Sequence, residues 1–249
     1  MSNRHFHLSR TDACLTLQLH DPFSAAVTST AMAGDIESLC SQIDSDPEVR
    51  VVILVFDGYP TSDTSGNDVG DPVAGASIVD AVARISKPVI CTLGNGATGP
   101  GLELALACDI RISTTDGRFS LPQIRKGLIP YAGGTQRLPR LIGPAKALEM
   151  LLTGVSIDAE EACRIGLVHQ VVPAADLAAT ASALALGMAA AAPLSMKLVK
   201  EAIYSGMDMT LDQGLRMELD LYLLLFSTED RTEGISAFRD KRAPKFIGS

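Results

Sequence analysis

The chain has 249 residues, 47% hydrophobic and 20% charged, with a formal net charge of −8, which suits one large globular domain with its own core. The acidic balance argues against nucleic acid as a bulk partner and does not exclude a local basic pocket for a phosphorylated small molecule.

In chain order, residues 15–19 alternate apolar and polar side chains and predict a strand. Residues 30–43 predict a helix, which Asp46-Pro47-Glu48 ends. Residues 49–56 form a continuous apolar run, suited to a parallel strand covered on both faces. Residues 57–72 are rich in Gly, Ser, Thr, Asp and Pro and read as a loop. A helix over 74–85 and a strand over 88–93 follow. Gly94-Asn95-Gly96-Ala97-Thr98-Gly99-Pro100-Gly101 is a glycine-rich turn, and the helix after it ends near Cys108. A strand is expected over 109–114, irregular chain over 119–129, and a tight turn over 130–136 leading into a helix. Helices over 145–153 and 159–165, a short strand over 167–172 and an Ala-rich helix over 176–192 complete this part. From Pro193 onward only helices are expected, among them a buried one containing the apolar run 219–226. The pattern is one of ββα-like units followed by a helical C-terminal third.

The five cysteines (Cys14, Cys40, Cys91, Cys108, Cys163) are scattered, odd in number and form no C-x-x-C pair. This fits reduced thiols in a cytosolic protein with no zinc site. The histidines His5, His7, His20 and His169 have no metal-ligand spacing, so no metal is expected. Residues 1–10 lack the apolar region of a signal peptide, and the run 219–226, broken by Asp220, is too short to span a bilayer.

The glycine-rich turn carries the chemistry. Glycine lets backbone approach a ligand closely, and a helix start suits an anion or a developing oxyanion. Glu103 in the first turn of that helix is a candidate general base, although a helix dipole alone also favours an acid there. Pro100 has no N–H to offer. Gly94-x-Gly96-x-x-Gly99 also matches a dinucleotide-binding fingerprint, with Asp116 roughly where a ribose-binding acid belongs. The chain beyond it, however, does not continue as alternating strand and helix. A second polar loop, Asp63-Thr64-Ser65-Gly66-Asn67-Asp68, also follows a strand end, where ligands of parallel sheets sit.

Together, several ordered segments resemble the crotonase superfamily, the enoyl-CoA hydratase/isomerase family, over nearly the whole chain. They are residues 47–54, Lys87-Pro88-Val89-Ile90 with Gly94-Asn95-Gly96, residues 101–109 and residues 132–138. Ala159-Glu160-Glu161-Ala162 to Gly166-Leu167-Val168, and Thr228-Glu229-Asp230-Arg231 to Ala237-Phe238, continue the likeness. They displace the dinucleotide reading. The resemblance implies an α/β fold, a crotonase-like spiral of ββα units over residues 1–192, and a C-terminal helical region over 193–249 used in trimerisation. It further implies a cytoplasmic homotrimer, or a hexamer made of two trimers, with no membrane or nucleic-acid partner and no tightly bound cofactor. The substrate would be an acyl-CoA thioester, processed through a stabilised enolate as an enoyl-CoA hydratase or double-bond isomerase. A CoA-thioester or C–C bond hydrolase, and an impaired CoA-binding member, are the alternatives.

The resemblance also assigns residues. The oxyanion donors map to the amides at Asn67 and Pro100, with Gly101 next to the latter. Asp63, Ser65, Gly66 and Asp68 fall in the substrate-binding loop, and Phe238 and Lys241 match positions that reach CoA. Glu103 takes the place of the first catalytic glutamate. The chain departs from the pattern at Pro100, which removes a donor unless Gly99 or Gly101 N–H replaces it. It departs again at Gln123, where hydratases carry a second glutamate; a glutamine can orient water or a carbonyl, and Gln123 or Tyr131 is expected to assist Glu103 in catalysis. Tyr131 occupies a position that is acidic in some isomerases. The chain between Asp68 and Ser86, which helps to wall the acyl pocket, looks shorter than usual.

Overall fold

The structure, a computed structural model, describes residues 5–19, 29–56 and 71–249. Strands β1 (Phe6–Thr11) and β2 (Cys14–Leu19) form an antiparallel hairpin. Helix α1 (Thr30–Ser45) is N-capped by the Ser29 hydroxyl. It leads to β3 (Val51–Phe56), which pairs parallel with β2. Helix α2 (Pro72–Ala83) is capped by the Asp71 carboxylate, which accepts from the Val73 and Ala74 amides. Then come β4 (Val89–Leu93), β5 (Gly96–Thr98), α3 (Pro100–Leu106), β6 (Ile110–Thr114) and β7 (Arg118–Ser120). A 3-10 turn, Pro122–Lys126, precedes α4 (Gly134–Ile142), α5 (Pro144–Thr153), β8 (Ile157–Asp158), α6 (Ala159–Arg164) and β9 (Gln170–Val172). Helices α7 (Leu177–Ala189), α8 (Pro193–Gly206), α9 (Leu211–Leu224) and α10 (Glu229–Arg239) close the chain.

The main sheet has the order β1-β2-β3-β4-β6-β9, and a small second sheet has the order β5-β7-β8. The continuous apolar run of β3 is explained by its two covered faces. Val52 and Leu54 join Val89, Cys91 and Leu93 in the core beneath α1 and α2. Val51 and Ile53, with Ile90 and Ile112, face the other way, onto Ala181, Ala185 and Ala189 of α7. Those alanines are why an Ala-rich helix can lie close against a sheet of branched side chains.

Strand β1 escapes the sequence pattern because it is an edge strand with mostly exposed residues. Strands β5, β7 and β8 escape it because two or three residues carry no periodicity. The glycine-rich segment is therefore not all turn: β5 lies within it, paired with β7 at Gly96↔Arg118 and Thr98↔Ser120. A larger correction concerns the run 219–226. Helix α9 has no buried residue, and Leu219, Tyr222, Leu223, Leu224 and Phe226 are exposed on the single chain. Apolar sequence there records a face without a cover within the protomer.

All five cysteines are free thiols, and only Cys163 is exposed. Among the described residues, no cluster of three metal-ligating side chains occurs, and no single helix is long and apolar enough to cross a membrane.

Candidate active site

Strand β4 ends at Leu93, and the chain turns through Gly94 and Asn95 into β5. Gly96 has φ +87°, and a Cβ there would collide with the Arg118 backbone, so β7 can pair only against glycine. Gly99 has φ +54° and ψ −132° and caps α3. The Gly-x-Gly-x-x-Gly spacing thus serves the close approach of two short strands and a left-handed entry into a helix. Asp116, the candidate ribose acid, sits exposed in the turn after β6.

The Gly99 N–H donates to the Ser120 carbonyl at 2.9 Å. It is committed to the small sheet, and Pro100, the first residue of α3, has no N–H. The first free-standing amide of the helix is therefore that of Gly101, which by helix geometry has no intrahelical acceptor.

Glu103 lies one turn inside α3, between Leu102 and Leu104, and all three are 0% exposed. A carboxylate buried so deeply needs donors. Its Oε1 accepts from the Ala132 N–H at 2.7 Å and the Gly134 N–H at 2.8 Å. Its Oε2 accepts from Gln123 Nε2 at a longer 3.3 Å. Burial pushes the Glu103 carboxyl above the usual glutamate range. The amides of Gly134, Ala132 and Tyr131, with the Arg137 charge, pull it partly back. One oxygen is anchored by short bonds and the other is only loosely held, so Oε2 is the one free to exchange a proton.

Gln123 arrives on the 3-10 turn after β7. Its Nε2 faces Glu103, the orientation that puts a donor against a carboxylate, and its Oε1 is buried without a partner. Tyr131 is half-buried, its hydroxyl packed against α2 where a Cβ on Gly75 would stand 3.0 Å away. Burial, then the charges of Glu103 and Asp71, push its phenol up to about 12, so it stays protonated at neutral pH and serves as a donor. Glu103, Gln123, Tyr131, Pro100 and Gly101 thus share one neighbourhood. Phe238 lies in the last turn of α10 at 88% exposure, and Lys241, two residues beyond the helix, has φ +54°. Asp63, Ser65, Gly66, Asn67 and Asp68 lie outside the described residues.

Sequence reasoning missed the holders of Glu103. The Ala132-Gly133-Gly134 segment reads as a landmark, yet its amides form the cradle, and Arg137 braces it by donating to the Ala132 carbonyl at 2.9 Å. The signal available was Gly134 itself. A Cβ there would stand 3.1 Å from Glu103 Oε1 and 2.9 Å from Pro130 Cβ. A concavity of about 900 Å³ elsewhere, between α10 and the C-terminal tail, has two of its lining carboxylates, Asp230 and Glu233, already occupied. Asp230 accepts from the Ile247 and Gly248 amides, and Glu233 accepts from Arg242 and the Lys245 amide.

Known proteins resemble this chain along most of its length. The family model described as enoyl-CoA hydratase/isomerase matches residues 9–249. The chain is 37% identical over 252 residues to the (E)-benzylidenesuccinyl-CoA hydratase of Thauera aromatica, covering 97% of this chain and 94% of that one. It is 36% identical over 220 residues to the short-chain-enoyl-CoA hydratase of Clostridium acetobutylicum, covering 84% of each. The crystal structure of an enoyl-CoA hydratase from Bacillus anthracis superposes with a TM-score of 0.89 at 33% identity, over 99% of this chain and 100% of that one.

Proposed function

Because the chain belongs to the enoyl-CoA hydratase/isomerase family, we propose that it processes an acyl-CoA thioester through an enolate, with Glu103 as the acid–base group. The observation that carries this reading is the asymmetric hold on Glu103: Oε1 fixed by two short backbone bonds, Oε2 loosely held. In hydration, Glu103 Oε2 takes a proton from water as the water oxygen bonds to Cβ. The electron pair of the double bond then passes to the thioester oxygen as an enolate, and the proton returns to Cα. Asn67 and Gly101 are the proposed backbone donors to that oxygen, in a role where losing one donor typically costs about 10²–10³ in rate. Asp63, Ser65, Gly66 and Asp68 would line the acyl-CoA site, with Phe238 and Lys241 reaching CoA, and Tyr131 would donate toward the acyl group.

A second reading, double-bond isomerisation, is favoured by one observation. Glu103 contacts an amide at Gln123 rather than a second carboxylate. A single carboxylate suffices to take a proton from one carbon and return it to another.

We further propose assembly as a trimer, or a pair of trimers, through the 193–249 region, in the cytoplasm. The uncovered apolar residues Leu211, Leu215, Leu219 and Leu223 of α9 support this assembly. The five free thiols suit a reducing compartment.

The test is addition of crotonyl-CoA and of a 3-enoyl-CoA, followed by the absorbance of the conjugated thioester. Hydration removes that absorbance from the first, and isomerisation creates it from the second. Glu103→Gln should lower either rate by about 10²–10⁴. Release of free CoA thiol in place of both changes would assign a hydrolase. No turnover with retained CoA binding would sink the enzymatic reading.

A further inference from the structure

Two peculiarities of this site lie side by side. The backbone at the start of α3 has one donor fewer to offer, since Pro100 has no N–H and that of Gly99 is committed to the Ser120 carbonyl at 2.9 Å, which leaves the Gly101 amide as the one free donor of these three. At the same spot a side chain brings donors in. Gln123 Nε2 lies 3.9 Å from where a Cβ on Gly99 would stand, and 3.3 Å from Glu103 Oε2. A primary amide carries two N–H groups. One meets Glu103 Oε2, and the other is left to donate.

The opposite end of the amide argues the same way. Gln123 Oε1 is buried and has no hydrogen-bond partner. Such an acceptor works against stability, and the amide is nevertheless turned so that Nε2, not Oε1, meets Glu103. Two bonds separate Cα of a thioester from its carbonyl oxygen. A base that works on Cα and a donor that works on the oxygen must therefore stand next to each other, as Glu103 Oε2 and Gln123 Nε2 do.

We infer that Gln123 is a catalytic residue whose side-chain amide donates to the thioester oxygen, supplying the N–H that Pro100 withholds from the backbone. The inference rests on the thioester-enolate reading above. When Glu103 Oε2 removes the Cα proton, the C–H electron pair becomes the enolate double bond. The carbonyl pair moves onto oxygen, where the second Nε2–H meets it. Return of a proton from Glu103 to Cα reverses the step, and nothing is oxidised or reduced. A side-chain donor has a consequence that a backbone donor lacks: it can be deleted by mutation, and the backbone donor can be restored in its place.

The experiment is a double-mutant cycle on Gln123→Met and Pro100→Gly. The readout is deuterium uptake at Cα of butyryl-CoA in D2O, with crotonyl-CoA turnover measured alongside. Gln123→Met should lower the exchange rate constant by about 10²–10³ with little change in KM. Pro100→Gly, which restores an N–H at the start of α3, should raise the rate of Gln123→Met at least tenfold, and by more than it raises the wild type. Exchange by Gln123→Met within threefold of wild type would overturn the inference. So would a double mutant no faster than Gln123→Met, which would leave Gln123 only the work of holding Glu103. Melting temperature is recorded for each variant. Should Gln123→Met fail to fold, Gln123→Leu removes the same donors without adding an ionisable group and takes its place in the cycle. Absence of exchange in wild-type protein, or exchange unaffected by Glu103→Gln, marks failure of the enolate reading itself and takes the inference with it.

Discussion

Gly134→Ala probes the support of Glu103 without replacing any side chain assigned to the chemistry. Gly134 opens α4 with a buried Cα and no left-handed φ, so alanine is compatible with its backbone and would ordinarily favour a helix by about 0.5–1 kcal/mol. The added methyl would stand 2.9 Å from Pro130 Cβ, 3.1 Å from Glu103 Oε1 and 3.2 Å from Glu103 Cγ. Carbon atoms prefer about 3.5–4.0 Å, so Pro130 and the start of α4 must separate by several tenths of an ångström or more. The amide of Gly134 moves with its Cα, and its 2.8 Å bond to Oε1 has little room to lengthen before it leaves the range of a good hydrogen bond. Overpacking of this kind costs about 1–3 kcal/mol. Set against the helix gain, the net loss is about 0–2.5 kcal/mol, or a fall in Tm of up to about 10 °C for a chain of this size. Activity should fall further, because a misplacement near 1 Å costs about 10²-fold. The assay pairs turnover of crotonyl-CoA with thermal unfolding. Gly187→Ala in α7 serves as control, since nothing lies within 4 Å of its Cβ position; it should keep full activity. Gly134→Ala turnover within threefold of wild type would refute the cradle as the support of Glu103.

Other expectations follow from the same contacts. Glu103 is held above the usual glutamate range by burial, so kcat/KM should rise with pH through a value above 4.5, and this limb should vanish in Glu103→Gln. The stability sign is that of a raised carboxyl. The native state holds its proton more tightly than the unfolded chain, so the Glu103 contribution is full below about 4.5 and is lost as pH rises through the folded value. Thermal unfolding of wild type against Glu103→Gln should therefore diverge in favour of the mutant across that interval and run parallel above it. Asp230→Ala should leave the Ile247 and Gly248 amides, now at 2.6 and 2.9 Å from its oxygens, without acceptors. A loss of about 1–3 kcal/mol and faster amide exchange at those two residues should be seen by calorimetry and mass spectrometry. Arg111 is 3% exposed and donates to the carbonyls of Leu167, Ala105 and Cys108. Arg111→Ala should lower stability by about 3–4 kcal/mol, near 1 for each orphaned carbonyl plus a cavity. A Tm drop under 3 °C would contradict that accounting.

What could be read from the chain alone was whatever neighbouring residues decide among themselves. Apolar runs and breakers located β2, β3, β4, α1, α2 and α7, because a strand or helix buried on a known face repeats its side chains at a fixed period. That Glu103 enters the first turn of a helix follows from the local pattern, and that Pro100 has no N–H and position 123 holds an amide are facts of covalent chemistry, legible before any folding. The tertiary structure decided who meets whom. The amides that anchor Glu103 Oε1 come from 29 and 31 residues further along the chain, and no local pattern marks a backbone N–H as a ligand. Gly96 and Gly99 match a dinucleotide fingerprint in spacing and serve strand pairing and helix entry, because the conformational freedom of glycine does not say what it is used for. The apolar run of α9 looked like core and is exposed in the protomer, because hydrophobicity records that a face prefers to be covered, not which surface covers it.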